Sequence, residues 1–196
     1  MNPDSKSKIR EIVEFIVITL VIVVPIRLFV AQPFIVSGTS MDTTFQDGQY
    51  LIIDELSYDF HAPQRGDVIV FKYPDTPQAT AGQNDLGKYL IKRVIGLPGE
   101  TVIVNENTVT IKNAANPNGF VLNEPYVSSD LGTHQEDVTV TLSSSQYFVM
   151  GDNRAVSYDS RLWGPLPKSD ITGRVFARIL PAQVFGIFPG KSTYTN

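Results

Sequence analysis

The chain has no cysteine and only two histidines, His61 and His134. The absence of cysteine excludes thiol nucleophiles, disulfide bonds and thiolate metal ligands. The two histidines form no paired ligand spacing such as HExxH, so we expect neither a metal centre nor a cofactor. Acidic residues outnumber basic ones, the net charge is −4, and no basic run occurs beyond the N-terminus. The sequence therefore lacks the electrostatic features of a nucleic-acid-binding protein.

The most prominent feature of the sequence is a long apolar run near the N-terminus. Residues 12–31 are apolar apart from four positions, Glu14, Thr19, Pro25 and Arg27. As a helix rising about 1.5 Å per residue, this run spans a hydrocarbon core of roughly 30 Å. A cleaved signal peptide is the alternative, but the residues before Ala31 provide no small-x-small cleavage site. Basic residues within 1–11 predict a single-pass anchor in the cell membrane, with a cytoplasmic N-terminus and residues 32–196 outside the cytoplasm.

Beyond the apolar run, the sequence predicts short β-strands rich in Val, Ile, Tyr and Phe, separated by Gly, Pro, Asn and Asp. We expect no helix there, loops at 74–88 and 113–137, and strands at 34–37, 50–54, 67–73, 89–95, 101–104, 108–112, 138–142, 147–150 and 173–179. The clearest hairpin has the three-residue loop Asn105-Glu106-Asn107. The predicted fold is mainly β: an antiparallel β-sheet catalytic domain with a smaller β-rich lobe within about 101–146, preceded by one transmembrane helix.

A serine-containing stretch, Ser-Gly-Thr-Ser-Met at 37–41, begins a few residues after the apolar run and places Ser40 at a membrane surface. A serine hydroxyl is a weak nucleophile at neutral pH and requires a base within hydrogen-bond reach. His61 and His134 both lie in loop-like sequence, and neither has the surroundings of a catalytic turn. The sequence therefore directs attention to a different base.

Lys92 is that candidate base. Alternation along the predicted strand puts Lys92 on one face with Leu90 and Val94 and puts Arg93 on the other, so one of the two cations shares a largely apolar face. Loss of solvation there would lower the pKa of a lysine from about 10.4 toward neutrality and allow it to act as a general base. Alternatively, Lys92 extends its ammonium group to water at a sheet edge.

A third stretch, residues 151–164, combines many hydrogen-bonding side chains with Trp163 directly after a predicted apolar strand. Asp159 and Arg161 are close enough in sequence to pair, and Ser157 is able to bond to either neighbour. Such a density of polar groups indicates a partly buried network that holds a site rigid. The other interpretation is a salt-bridged turn without a chemical role.

Four blocks of the sequence, in order, resemble the bacterial type I signal peptidases, membrane-anchored Ser-Lys proteases that remove signal peptides from exported preproteins. They are Ser-Gly-Thr-Ser-Met (37–41), Arg-Gly-Asp-Val-Ile-Val-Phe (65–71), Tyr-Leu-Ile-Lys-Arg-Val-Ile-Gly-Leu-Pro-Gly-Glu (89–100) and Gly-Asp-Asn-Arg-x-x-Ser-x-Asp-Ser-Arg-x-Trp-Gly (151–164). The short chain and single anchor resemble the Gram-positive form of the family.

The resemblance implies that Ser40 is the nucleophile and Lys92 the general base of a serine endopeptidase that forms an acyl-enzyme. Ser157 matches the serine that orients the lysine amine, and Asp159 with Arg161 matches a structural pair near the site. The implied substrates are signal peptides with small residues at the first and third positions before the cut. Such an extended segment is expected to add as a strand. We expect it to bind at Phe34, Ile35, Val36, Ser37, Tyr89 and Leu90. Membrane lipid is the other expected partner, and nucleic acid is not.

Three positions depart from the family pattern. Thr43 stands where proline is usual, Phe45 where leucine is common, and Gly38 where some relatives carry a serine that helps to bind the oxyanion. Thr43 motivates an alternative: an inactive relative that binds signal peptides or assists another peptidase. An anchored, non-proteolytic β-domain is a second alternative. The self-cleaving repressors also use Ser and Lys, but they have a DNA-binding domain where this chain has its apolar run.

Overall fold

The computed structural model describes residues 3–23, 31–74, 88–106, 108–127 and 137–194. Helix α1 (Pro3–Ile18) continues into a π-helical turn at Thr19–Val23. No helix in these described ranges is both long enough and apolar enough to cross a membrane. The predicted span at 12–31 includes residues 24–30, which lie outside the described part of the chain.

The rest of the described chain is mainly β, which confirms the predicted class. Its strands are β1 (Ala31–Ile35), β2 (Tyr50–Asp54), β3 (Val68–Lys72), β4 (Tyr89–Gly96), β5 (Thr101–Asn105), β6 (Thr108–Lys112), β7 (Phe120–Val121), β8 (Val138–Thr141), β9 (Gln146–Met150), β10 (Leu166–Pro167), β11 (Ile171–Leu180) and β12 (Gly186–Ile187). The expectation of no helix in this part of the chain is wrong, because two four-residue helices occur, α2 (Ser57–Phe60) and α3 (Ser160–Trp163). Three-residue 3₁₀ turns occupy Lys168–Asp170 and Ala182–Val184.

The larger sheet has the strand order β1-β2-β11-β3-β4-β9-β10, with β12 paired to β11, and all its pairs are antiparallel. Strand β4 lies between β3 and β9, and its Lys92 is directly opposite Ile69. The residues of β3 alternate between two buried apolar clusters, because successive side chains of a strand point to opposite faces. The larger sheet therefore has apolar packing on both faces.

The smaller sheet has the order β7-β6-β5-β8. In its central hairpin Asn105 pairs with Thr108, so the connection has two residues and not the predicted three. Asn105 joins the ladder, and Glu106 takes a φ of 50°, the left-handed conformation typical of two-residue hairpin turns. The predicted loop at 113–137 also contains β7, whereas residues 75–87 and 128–136 of the two predicted loops lie outside the described residues.

Candidate active site

Ser40 lies in the loop between β1 and β2. Two buried apolar side chains, Met41 and Phe45, hold this loop against the larger sheet, and the Phe45 N–H donates to the Met41 carbonyl at 2.8 Å. Gly38 has a φ of 91°, which glycine adopts without strain, and its N–H donates to Asp47 at 2.8 Å. These contacts leave Ser40 partly exposed at the surface of a buried cluster.

Lys92 reaches Ser40 from β4. Its Nζ lies 2.6 Å from Ser40 Oγ, and the lysine is only 3% exposed. Burial lowers the pKa of Lys92 to about 8, although the carboxylates of Asp159 and Asp152 act in the opposite direction; the Arg161 charge lowers it further. With this pKa, about one-tenth of the amine is neutral at pH 7. Because the Lys92 side chain is buried, the alternative of a lysine that extends its ammonium group to water is wrong.

Asp159 and Arg161 form the pair expected from the sequence. Arg161 donates through Nε to Asp159 Oδ1 at 2.8 Å and through Nη2 to Asp159 Oδ2 at 2.9 Å, and both residues are buried. Asp159 also accepts the Gly151 N–H at 3.0 Å and caps α3. Burial works to raise the pKa of Asp159, but hydrogen bonds and the charge of Arg161 keep it below its usual value.

Ser157 lies beside this pair, but the structure does not join it to the lysine. Its Oγ is buried, and among the described residues it has no partner at hydrogen-bond geometry, although its proximity helps to lower the pKa of Asp159. A Cβ at Gly151 would clash with both Ser157 Oγ and the Ser40 carbonyl. The 151–164 stretch therefore packs directly against the serine loop, and only glycine fits at the contact.

Two adjoining cavities meet at Ser40 and Lys92. The first has a volume of about 80 Å³, and its walls include all six residues predicted to bind substrate: Phe34, Ile35, Val36, Ser37, Tyr89 and Leu90. The second, of about 220 Å³, extends to Tyr73, Val156 and Tyr158. A wider apolar cavity of about 360 Å³ contains His61 but neither Ser40 nor Lys92. His134 lies outside the described residues, and no metal-binding cluster occurs within the described part of the chain.

Arg93 is a site neighbour whose partners the sequence analysis missed. Both its carboxylate bonds are to buried Asp152, from Nε at 2.8 Å and from Nη2 at 2.6 Å. The ring of Tyr126 lies 3.8 Å from the guanidinium carbon, and Thr44 Oγ1 donates to Asp152 at 2.5 Å. The strand pattern showed two adjacent cations among apolar residues, which was the available signal for a second buried cation. Nothing in the sequence around Tyr126 indicated its position.

Comparison with known proteins matches this chain to one protein family. The model of the family described as "Signal peptidase, peptidase S26" matches residues 9–180. The chain is 38% identical over 184 residues to a probable signal peptidase I-1 of Synechocystis sp., covering 94% of this chain and 89% of that protein. It is 35% identical over 169 residues to signal peptidase I V of Bacillus subtilis, covering 80% and 90%.

A solved structure of a signal peptidase I from Enterococcus faecalis shares 33% identity, covering 59% of this chain and 97% of that one, with a TM-score of 0.44. The family match extends over all four sequence blocks, including those that carry Ser40 and Lys92. The chain belongs to the signal peptidase family, peptidase S26.

Proposed function

We propose that this chain is a serine endopeptidase that removes signal peptides from exported preproteins, with Ser40 as nucleophile and Lys92 as general base. The observation that carries the proposal is the 2.6 Å contact between Lys92 Nζ and Ser40 Oγ in a buried setting. A serine hydroxyl needs a base in direct contact, and a lysine is a base only when its amine is neutral. Burial that lowers the pKa of Lys92 to about 8 supplies this condition.

The reaction begins when Ser40 Oγ attacks the carbonyl carbon of the scissile peptide and its proton passes to Lys92 Nζ. The ammonium group then gives this proton to the leaving amine, and the C–N bond breaks to leave an acyl-enzyme. Lys92, neutral again, takes a proton from water, which attacks the ester. The signal peptide is released, and the proton returns to Ser40 Oγ. This cycle uses no metal or cofactor.

The Ser40 N–H is the proposed donor to the oxyanion. Among the described residues, no group accepts a hydrogen bond from this N–H, so it is available to the developing negative charge. Loss of one such donor typically lowers kcat by about 10²- to 10³-fold. Gly38 has no side-chain donor, and its own N–H is bonded to Asp47.

The smaller cavity is the proposed site for the signal peptide end. An extended segment places alternate side chains on one face, and a volume of about 80 Å³ accommodates only small ones. Strand β1 is at the edge of the larger sheet, and within the described ranges it pairs with β2 alone, so its other side is available for an added strand. We assign Asp159 and Arg161 a supporting role, because their buried pair fixes the 151–164 stretch against the serine loop. Ser157 is proposed to orient the amine during turnover.

A single-pass anchor at residues 12–31, with the N-terminus in the cytoplasm, is also part of the proposal. The support is the exposure of large apolar side chains around α1 and the π-helical turn that continues it, including Ile12, Phe15 and Val21. Apolar side chains on every face of a helix require an apolar environment. Membrane lipid would provide this environment and would place Ser40 where a signal peptide leaves the bilayer.

An inactive relative that binds signal peptides is the competing proposal, favoured by Thr43. Purified full-length chain in detergent should cleave a preprotein that has small residues at the first and third positions before the cut. Ser40→Ala and Lys92→Ala should each remove this cleavage, whereas Lys112→Ala, which changes an exposed lysine of the smaller sheet, should retain it. Absence of cleavage by the wild-type chain, or full cleavage by Ser40→Ala, would contradict the peptidase proposal.

A further inference from the structure

Asn153 is a buried polar residue that the mechanism above does not use. It is only 5% exposed. Its side-chain Nδ2 donates to the Thr39 carbonyl at 3.0 Å, and its backbone N–H donates to the Ser40 carbonyl at 3.1 Å. One residue therefore holds the carbonyls of both peptide units that meet at the Ser40 Cα.

The hydrogen bond from Asn153 to the Thr39 carbonyl also bears on the direction of the Ser40 N–H. The Thr39 C=O and the Ser40 N–H belong to the same planar trans peptide, so they point in opposite directions in one plane. The Thr39 oxygen also accepts the Asp42 N–H at 3.1 Å, from within the serine loop. The two donors together set the direction of the Ser40 N–H, which points away from Asn153, and Asn153 is the donor that ties this peptide to the 151–164 stretch. This is the N–H proposed above as the oxyanion donor.

The hydrogen bond to the Thr39 carbonyl requires the amide nitrogen of Asn153, because a carbonyl oxygen is an acceptor and needs a donor opposite it. The amide oxygen of Asn153, Oδ1, is buried without a partner among the described residues. The side chain thus makes one hydrogen bond at this place, and that bond is to the peptide of the nucleophile. An aspartate of the same shape would place an acceptor opposite the Thr39 oxygen.

We propose that Asn153 is a positioning residue that aims the Ser40 N–H at the oxyanion. The inference rests on the proposed peptidase function and deepens it. Stabilisation by such donors depends on their fixed direction before the reaction, because a donor that must reorient during the reaction contributes less. The effect belongs to the transition state, in which the oxyanion exists, and not to binding of the uncleaved peptide.

The test compares full-length wild-type chain in detergent with Asn153→Ala and Asn153→Asp. Asn153→Ala keeps the backbone bond to Ser40 and loses only the side-chain bond. Asn113→Ala is the matched control, because Asn113 Nδ2 also donates one side-chain bond, to Glu100 at 3.0 Å, and Asn113 directly follows β6 of the smaller sheet. Cleavage of a preprotein gives kcat and KM. The second measurement is the inhibition constant of a peptide aldehyde. Ser40 Oγ adds to the aldehyde carbon, and the aldehyde oxygen then occupies the oxyanion position, so this constant reports on the oxyanion donor.

Asn153→Ala should lower kcat by roughly 10- to 100-fold and leave KM within about twofold. Its inhibition constant for the aldehyde should rise by the same factor as kcat/KM falls. Asn153→Asp, which keeps the shape, should lose at least as much, and Asn113→Ala should match the wild type. A kcat of Asn153→Ala within about twofold of wild type, an effect confined to KM, or an unchanged aldehyde inhibition constant would refute the proposed role of Asn153 and leave the peptidase proposal standing. A wild-type chain that fails to cleave would overturn the proposed function as well.

Discussion

Replacement of Lys92 by methionine is expected to stabilise the fold at pH 7 while it abolishes cleavage. Methionine has a similar length and no charge, so the change removes a buried cation and keeps most of the packing. The pKa of Lys92 is about 8 in the native state, against 10.5 for a lysine in water. This difference corresponds to a cost on the order of 3 kcal/mol to native stability while the amine is protonated.

The pH dependence follows from the direction of this pKa change. Below pH 8 both the native and the unfolded chain bind the proton, so the full cost applies. Between pH 8 and 10.5 the unfolded chain binds more protons than the native one, so the stability of the wild type rises with pH. By pH 10 the remaining cost is below about 1 kcal/mol.

Methionine also loses the hydrogen bond to Ser40, which contributes about 1 kcal/mol. Lys92→Met should therefore exceed the wild type by about 2 kcal/mol at pH 7 and should equal it within about 1 kcal/mol at pH 10. Urea unfolding at both pH values, followed by fluorescence of the single tryptophan, Trp163, measures this difference. Lys112→Met, at an exposed site, should show no such change. An advantage for Lys92→Met that is absent at pH 7, or equal at both pH values, would refute the argument that burial lowers the lysine pKa.

Four further measurements test other parts of the structure. The kcat/KM of the wild type should rise with pH, reach half its maximum near pH 8, where Lys92 loses its proton, and level off by about pH 9; an increase that continues beyond pH 10 would show an ordinary lysine. Gly151→Ala should lower both stability, by about 1 to 3 kcal/mol, and kcat, because the added Cβ meets Ser157 and the serine loop; wild-type values would disprove the close contact. Arg93→Met should cost about 3 to 5 kcal/mol in urea unfolding, since it leaves a buried carboxylate without its partner; a cost below about 1 kcal/mol would contradict this. Thr43 has a φ of 91° and donates a side-chain hydrogen bond to Tyr126. Thr43→Gly should change the free energy of unfolding by less than about 1 kcal/mol, because relief of backbone strain offsets the lost hydrogen bond. Thr43→Pro should cost about 3 kcal/mol, because proline cannot adopt this φ, and equal stabilities of the two variants would contradict the observed φ.

Thr43 illustrates what the sequence could not predict. Its φ is 91°, which is unusual for a β-branched residue, and its Oγ1 donates to the Tyr126 carbonyl at 2.6 Å. Proline, the usual residue of the family at this position, has a φ near −65° and does not fit this backbone. From the sequence, the absence of proline removed a restraint on φ and motivated only the alternative of an inactive relative. The structure replaces that restraint with a side-chain bond to a residue 83 positions away, and such a partner leaves no trace in local sequence.

The strands were easier to predict than the helices. β2 (Tyr50–Asp54) and β6 (Thr108–Lys112) have the predicted bounds, because alternating burial and flanking turn residues define both ends. The helices α2 and α3 are single turns, which are too short for a helical period to appear. Prediction of α3 would have required recognising Asp159 as its N-cap, a role that its pairing with Arg161 concealed.

The two neighbouring cations of β4 explain why Lys92 and not Arg93 is available for acid–base chemistry. Arg93 satisfies its guanidinium through a two-point pair with Asp152 and through backbone carbonyls, including that of Gly66 at 3.0 Å. Its pKa is raised, because the hydrogen bonds and charge of Asp152 outweigh burial, so it stays charged. The amine of Lys92 has no carboxylate within hydrogen-bond distance among the described residues, and its bond is to Ser40.

The protein thus pairs one buried cation and leaves the other unpaired. Alternation along β4 sends the two side chains to opposite faces, so Asp152 neutralises the arginine and acts on the lysine only at longer range. Arg93→Lys would therefore place a second lysine against Asp152, where it stays protonated, and should leave the pH dependence of kcat/KM unchanged. Lys92→Arg would put an always-charged group beside Ser40 and should abolish cleavage. If Lys92→Arg cleaved at a measurable rate, proton transfer would not pass through residue 92, and the division of roles between the two cations would be wrong.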